Sequence, residues 1–408
     1  MGAGIGLVAP RSNSISVHRP FSLVAGEPDE KPAMGAVTGR SCSAILVVAA
    51  ITAIGAIAGL AWILSLLYVG YSPAYRVVTP PAEGRLLVEQ IWSNDDDWAS
   101  IDADRRTPGI YGLRGVHSDG TEAGWMAEVC RVGEDGSIES AIGIAGKEDA
   151  PNTYFRVYRR DALGALGFVC AGVAVDRIHA FAEDGSARWE RRLPKSIKDI
   201  AACDLDGDGA DEIVVGASEG VFALSGTGED LWCASEGRWI DVVVGLGAVG
   251  GDRGQVLASG HGPAWLLDGE GRVVRSYKWD KAPFTITVAG AATGGQLLVG
   301  ARPSPFNLQA LAYDGTIQWS VRDDDARVRR AFFLQPQASP DGERIAVAFK
   351  DGQIMFYDAS TGDRVGDVRS PQWPYPSIAW RRASDGSDML VVASVRGMTA
   401  YRVRAESK

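Results

Sequence analysis

The residues best suited to chemistry lie in one short acidic stretch, Asp204–Glu212 (DLDGDGADE). Carboxylate side chains occupy its first, third, fifth and ninth positions, and Ala210 at the seventh position offers a backbone carbonyl. The candidate metal ligands are therefore Asp204, Asp206, Asp208, Ala210 and Glu212. Oxygen ligands at alternate positions, with glycines where the chain turns sharply, suit a hard cation such as calcium. The stretch predicts a calcium-binding loop.

The residues that follow place this loop between two β-strands. In an EF-hand, a bidentate glutamate at the twelfth position lies inside a helix. Here the twelfth residue is Val215, in the apolar run Ile213–Gly216 (IVVG), which is typical of a strand. A calcium loop between strands resembles the FG-GAP (VCBS-type) repeat, the calcium-loop blade of integrin-α-like β-propellers. A metal-free acidic hairpin is the alternative interpretation.

A hairpin pattern repeats along most of the chain after residue 98. Each copy has a short alternating strand, and most copies continue through a glycine-containing turn to a second strand. The copies are IHAFAEDGSARW (Ile178–Trp189), VFALSGTGEDLW (Val221–Trp232), AWLLDGEGRVVR (Ala264–Arg275), LQALAYDGTIQW (Leu308–Trp319), IMFYDASTGDRV (Ile354–Val365) and MTAYRV (Met398–Val403). Successive copies from Trp189 onward are 43, 43 and 44 residues apart. A period of about 40–50 residues indicates the four-stranded blades of a propeller.

With one less regular hairpin at Ala127–Ser140 (AEVCRVGEDGSIES), the copies number seven and predict an all-β fold, a β-propeller of seven four-stranded blades over residues 85–408. The expected third strands lie near Met126, His179, Phe222, Trp265, Ala310, Met355 and Thr399. The first unit is irregular, so six or eight blades are the alternatives. The last unit lacks a fourth strand, and the alternating strand Arg85–Trp92 (RLLVEQIW) is left over before the first unit. We predict that this strand pairs with Met398–Val403 and closes the ring, which would hide both sheet edges.

The repeats resemble two further propeller families. The hairpins that end in tryptophan resemble the repeat of pyrroloquinoline-quinone (PQQ)-like propellers, and Ala338–Val365 is similar to a WD repeat, with Tyr357-Asp358 where Trp-Asp is usual. Quinoprotein dehydrogenases use eight blades and often an adjacent cysteine pair over the cofactor, whereas no two of the five cysteines here are adjacent. The resemblance therefore implies the blade and not that active site, because a fold does not fix function. PQQ-like repeats also occur in non-catalytic assembly propellers of the bacterial envelope.

Residues 44–70 predict a transmembrane anchor. No charged residue occurs from Ala44 to Tyr68, and a helix of about 25 residues exceeds the roughly 30 Å of a bilayer core. The apolar segment follows a tail, residues 1–43, whose composition predicts disorder. Its length and position favour an uncleaved anchor over a signal peptide. Residues 71–84, with three prolines, predict a stalk.

The orientation of the anchor is predicted from the calcium loop. The number of basic residues close to the segment is equal on its two sides: Lys31 and Arg40 precede it, and Arg76 and Arg85 follow it. The positive-inside rule therefore gives almost no information on the orientation. Weak calcium sites fill outside the cytosol, at about 10⁻⁴–10⁻³ M. We therefore expect a single-pass protein of the cell membrane, with its N-terminus in the cytoplasm and its propeller outside.

The sequence favours binding over catalysis. A net charge of −10 gives no electrostatic support for a nucleic-acid role. No H-E-x-x-H motif or P-loop occurs, and the four histidines show no metal spacing. We expect a non-catalytic binding or scaffold module with a structural calcium ion, whose partner is an envelope or extracellular protein or glycan. The alternative is a propeller enzyme, either a quinoprotein-like oxidoreductase or a polysaccharide lyase.

The propeller cysteines leave two interpretations open. Cys130, Cys170, Cys203 and Cys233 would lie outside the cytoplasm, where they are able to form two disulfides. Cysteines in strands also serve as small buried apolar residues. The sequence does not choose between these two roles.

Overall fold

The structure is a computed structural model of the 408-residue chain. It describes residues 76–77, 86–96, 98–104, 109–118, 124–147, 154–172, 176–234, 237–246, 253–279, 283, 285–290, 296–303, 306–322, 334–349, 352–371, 377–394 and 396–405. The predicted tail, the predicted anchor at residues 44–70 and all of the predicted stalk except residues 76–77 lie outside this set. Within the described ranges, no helix has the length and apolar character needed to cross a membrane.

Seven four-stranded antiparallel sheets form the blades of an all-β propeller. The chain begins with β1 (Arg76–Val77) and β2 (Leu86–Asn94). Blade 1 contains β3 (Trp98–Asp104), β4 (Gly109–Ser118), β5 (Gly124–Val132) and β6 (Ile138–Lys147). Blade 2 contains β7 (Tyr154–Arg159), β8 (Leu166–Ala171), β9 (Arg177–Ala182) and β10 (Ala187–Arg192). Blade 3 contains β11 (Ile197–Cys203), β12 (Glu212–Ala217), β13 (Gly220–Leu224) and β14 (Asp230–Ala234).

The remaining blades follow the same order. Blade 4 contains β15 (Ile240–Leu246), β16 (Gln255–Gly260), β17 (Ala264–Leu267) and β18 (Val273–Tyr277). Blade 5 contains β19 (Thr285–Gly290), β20 (Gln296–Pro303), β21 (Phe306–Ala312) and β22 (Ile317–Arg322). Blade 6 contains β23 (Leu334–Ala338), β24 (Arg344–Phe349), β25 (Gln353–Asp358) and β26 (Arg364–Arg369). Blade 7 contains β27 (Ser377–Arg382), β28 (Asp388–Ser394), β29 (Gly397–Ala405) and β2. All seven predicted third strands are confirmed.

The N-terminal strand β2 closes the ring. It is the fourth strand of blade 7 and pairs antiparallel with β29, with Leu86 opposite Ala405 and Trp92 opposite Ala400. The first strands of neighbouring blades contact one another around the whole ring, and β27 contacts β3 to complete it. The predicted closure is therefore confirmed. The edge that β29 would otherwise leave open is covered.

The two-residue strand β1 adds to the outside of blade 5. Arg76 and Val77 pair in parallel with Val321 and Arg322 of β22. These are the described residues of the predicted stalk. The outer edge of blade 5 is thus partly covered by the chain itself.

The core lies between blades. Seven clusters of buried apolar side chains are present among the described residues, and each joins two consecutive blades around the ring. Residues at alternate positions of a strand point to opposite faces of the sheet, so the second and third strands bury both faces against neighbours. For this reason β8, β12 and β28 are buried along their whole length.

Among the described residues, four tryptophans on outer strands make a repeated contact that joins their own blade to the following one. The indole Nε1 of each donates to a backbone carbonyl in a turn of the following blade: Trp92 to Glu134 (2.8 Å), Trp189 to Gly226 (3.0 Å), Trp232 to Gly269 (2.8 Å) and Trp319 to Ala359 (2.8 Å). A positive-φ glycine of the same turn lies against each ring; these are Gly136, Gly228, Gly271 and Gly362. We call this arrangement the tryptophan–turn contact. It explains why the repeat combines a terminal tryptophan with a turn glycine.

The strands alternate in direction, so their connections fall on two faces of the ring. The bottom face is defined here by the connections from first to second and from third to fourth strands. The top face is defined by the connections from second to third strands and from one blade to the next. The tryptophan–turn contacts lie on the bottom face.

We expect removal of Leu86–Trp92 to destabilise the whole ring rather than one blade. The deletion exposes the edge of β29 and removes the contact of Trp92. A large part of the free energy of unfolding, roughly 5–15 kcal/mol in native proteins, should therefore be lost. Calorimetry of the full-length chain tests this expectation. Deleting residues 20–26, an equal length within the tail, is the control. An unchanged melting temperature after the first deletion would show that closure does not depend on β2.

We expect Gly362→Ala to cost more stability than Gly386→Ala. Both glycines have positive φ (72° and 80°), but a Cβ on Gly362 would lie 2.6 Å from the Trp319 ring, whereas a Cβ on Gly386 meets nothing within 4 Å. The left-handed backbone alone costs about 1–2 kcal/mol, and overpacking adds about 1–3 kcal/mol at Gly362. Denaturant unfolding measures both losses. Equal losses would contradict a tight tryptophan–turn contact.

Candidate functional site

The predicted metal loop joins β11 to β12 on the bottom face, between Cys203 and Glu212. Gly207 and Gly209 have positive φ (85° and 94°), the conformation that the sequence pattern predicts for the sharp turns. Backbone N–H groups hold the aspartates: Gly207 (2.7 Å) and Gly209 (3.1 Å) donate to Asp204. The N–H of Asp208 donates to Asp206 (3.0 Å), and that of Ala210 donates to Asp208 (2.7 Å). The loop is therefore ordered by its own hydrogen bonds.

Three of the predicted ligands converge. One carboxylate oxygen each of Asp204, Asp206 and Asp208 lie within 4.8 Å of one another. Asp204 is half-buried and the other two are exposed. Three like charges this close repel one another, and a hard divalent cation would remove that repulsion. The donor set fits calcium because it consists of carboxylate oxygens on a glycine-containing loop.

Glu212 and Ala210 lie differently from the three aspartates. Glu212 is buried at the start of β12, and its Oε2 accepts a hydrogen bond from the Leu205 N–H (2.6 Å). Burial raises the pKa of Glu212 to about 7 against the lowering effect of that hydrogen bond, and the nearby aspartates add to the rise. Its carboxylate is not part of the three-oxygen group. Ala210 is half-buried, and its N–H is used by Asp208.

The loop is held against the neighbouring blade by an ion pair that the sequence does not indicate. The Asp211 carboxylate accepts from the Arg159 backbone N–H (2.7 Å) and pairs with the Arg159 guanidinium (2.8 Å) in blade 2. The Asp211 N–H donates to the Arg159 carbonyl (2.7 Å). Asp211 falls outside the alternating acidic pattern, and only the packing of blades 2 and 3 brings it to Arg159.

Blade 4 contacts the loop from the other side. The N–H of Gly254 donates to the Leu205 carbonyl (3.2 Å). A Cβ at Gly254 would lie 2.0 Å from the Asp204 carbonyl oxygen, and one at Gly269 would lie 2.4 Å from the Leu205 carbonyl oxygen. Only glycine allows this close an approach. The predicted metal loop thus belongs to blade 3 but is fixed by blades 2 and 4.

Other candidate residues occupy structural positions. His179 lies buried on β9, as expected for a histidine on a repeat strand. Gly216–Gly220 (GASEG) has the G-x-S-x-G spacing of a nucleophile elbow, but it connects β12 to a strand, β13, where an elbow leads into a helix. Among the described residues, Cys130, Cys170, Cys203 and Cys233 form no disulfide. The first three are buried, which fits the small apolar role left open by the sequence.

Comparison with known proteins supports the fold and no finer assignment. No protein-family model matches this sequence, and no curated protein matches it. Two similar solved structures are crystal structures of BBS1N in complex with ARL6DN, one soaked with mercury and one with lead. Both superpose on this chain with a TM-score of 0.57, and their sequences are 12% and 11% identical to it. Each alignment covers 79% of this chain, and it covers 100% of the first chain and 98% of the second. At this identity the similarity shows the fold alone.

We expect calcium to stabilise the propeller. For a site of about 10⁻⁴–10⁻³ M affinity, 5 mM calcium adds about 1–2 kcal/mol by mass action, which corresponds to a rise of about 2–3 °C in the melting temperature. Thermal unfolding in calcium and in EDTA measures this shift. Asp206→Asn with Asp208→Asn should abolish it, whereas Asp184→Asn, in a turn of blade 2, should retain it. A shift that survives the double substitution would place the ion elsewhere.

Proposed function

We propose that this chain is a non-catalytic, partner-binding β-propeller that is carried outside the cytoplasm by one membrane-spanning segment, residues 44–70. A calcium ion bound by Asp204, Asp206 and Asp208 would stabilise blade 3. The partner would be an envelope or extracellular protein. The proposal treats the propeller as a rigid scaffold whose connecting loops carry recognition.

The observation that carries this proposal is that the predicted metal loop of blade 3 is packed between blades 2 and 4. Its carbonyls contact Gly254 and Gly269 of blade 4, and its Asp211 pairs with Arg159 of blade 2. A metal held in such a loop supports the joints between three blades. This position favours a structural ion over one that bridges to a ligand.

The similar solved structures add support for partner binding. The BBS1N chain, which the present chain covers almost entirely, was solved in complex with ARL6DN. A propeller of the same fold therefore occurs in a complex with another protein. The envelope location comes from the apolar segment and from the calcium concentration that a weak site needs.

Cross-linking in living cells tests the proposal. The full-length chain should capture an envelope protein in stoichiometric amount, and Asp204→Ala with Asp206→Ala should reduce that capture because blade 3 loses its ion. The matched control is Asp184→Ala with Asp314→Ala, which removes two carboxylates from turns of blades 2 and 5. Capture of no protein, or of glycan alone, would contradict a protein-binding scaffold.

A further inference from the structure

Two β-bulges lie at the top-face ends of β11 in blade 3 and β15 in blade 4. The pairing of β11 with β12 shifts between Ile197 and Asp199, so Lys198 has no partner in the ladder. The pairing of β15 with β16 shifts in the same way between Ile240 and Val242, which leaves Asp241 unpaired. Bulges re-aim side chains and are frequent beside functional sites. In this propeller they bring Lys198 and Asp241 to the same aromatic residue.

That residue is Trp239, in the connection that enters blade 4. Its side chain is surrounded by polar groups, although 39% of the residue is exposed. The Lys198 ammonium lies 4.3 Å from the ring centroid, and the His261 imidazole stacks at 5.8 Å with an interplanar angle of 26°. The indole N–H donates to Asp241 (2.5 Å). Trp239 is therefore held in place while a large part of it faces solvent.

The backbone fixes the two loops that carry this group. The His261 N–H donates to the Trp239 carbonyl (3.1 Å). A Cβ on Gly260 would lie only 1.9 Å from that carbonyl oxygen, so glycine is required at this crossing. Next to it, the Arg238 guanidinium lies 4.4 Å from the Trp265 ring centroid. The surface is thus built on strand ends and is not a set of independent loops.

Basic side chains outnumber carboxylates among the described residues of this surface. They are Lys198, Arg238 and His261, against the one carboxylate of Asp241, whose Oδ2 lies 4.0 Å from the His261 Nε2; the whole chain has a net charge of −10. Among the described residues no carboxylate forms an ion pair with Lys198, whereas Lys195 on the same face is paired with Glu219. The Lys198 ammonium carries three N–H donors, and its position over the Trp239 ring fixes where they lie. A charged donor held in place in this way is suited to receive a carboxylate.

We infer that Lys198, Arg238, Trp239 and His261 form a docking surface, here called the top-face surface, for an acidic segment of a partner protein. The inference rests on the proposed function and adds the face of the ring and the chemistry of the partner. Tryptophan and arginine are the residues that most often dominate protein–protein binding energy. Acidic segments are recognised by clusters of basic side chains.

The covered ring of Trp239 favours a polypeptide over a glycan. Sugar rings stack on open aromatic faces, but here Lys198 lies over the ring and His261 stacks with it. The surface therefore presents an indole edge and cationic donors. These groups suit carboxylates carried on a flexible segment better than a flat pyranose.

Fluorescence anisotropy with a labelled octaglutamate peptide tests the inference on the full-length chain. We expect binding that weakens with added salt, and none with octaglutamine. Lys198→Gln with Arg238→Gln should raise the Kd about tenfold. The matched control, Arg272→Gln with Arg275→Gln, makes the same change in charge on β18 and the turn before it, and should change the Kd less than about twofold. Lys198→Glu, at a position without a ladder partner, tests the site without disturbing the strand pairing.

Several outcomes would overturn the inference. These are absence of octaglutamate binding, equal weakening by the control pair, and binding of the anionic polysaccharide polygalacturonate in place of the peptide. A photo-crosslinker at Pro263, beside the surface, should capture a partner in cells, and one at Val274 on the outer strand β18 should not. Capture from Val274 alone would keep the proposed function and reject the top-face surface.

Discussion

The pairing of β2 with β29 is the interaction on which the rest of the ring depends. It joins distant parts of the chain: the hydrogen bond between Ser93 and Thr399 (2.9 Å) links residues 306 positions apart. The entropic cost of closing a loop grows only slowly with the number of residues in it. Such a distant pairing therefore adds little further cost once the intervening blades are formed. Closure also adds one of the tryptophan–turn contacts, because Trp92 reaches the turn between β5 and β6 of blade 1 from within blade 7.

Much of this architecture could be predicted from the sequence because the repeat is local. The hairpins at 43 to 44 residue intervals predict the third strands, and the leftover strand Arg85–Trp92 predicts the closure. The aspartates at alternate positions predict the convergence of Asp204, Asp206 and Asp208. In each case neighbouring residues carry the signal, through strand alternation, turn glycines or ligand spacing.

The features that could not be predicted depend on packing between blades. Glu212 fits the ligand pattern, yet its carboxylate accepts a hydrogen bond from Leu205 at the start of a buried strand. The pairing of Asp211 with Arg159 and the gathering of Lys198 and His261 around Trp239 join residues from different blades. Bulges such as the one at Lys198 follow from the register of a strand pair, which one strand's sequence does not specify.

The two faces of the ring are therefore proposed to have different roles: the bottom face holds the predicted metal loop and the tryptophan–turn contacts, and the top face carries the proposed top-face surface. Hydroxyl-radical footprinting of the full-length chain in intact cells, compared with the purified chain, tests this division most directly. Trp239 and His261 should be protected in cells, while Leu231 and Val273, exposed on the outer strands, should react equally in both samples. Equal oxidation of Trp239 and His261 in cells and in the purified chain would contradict it.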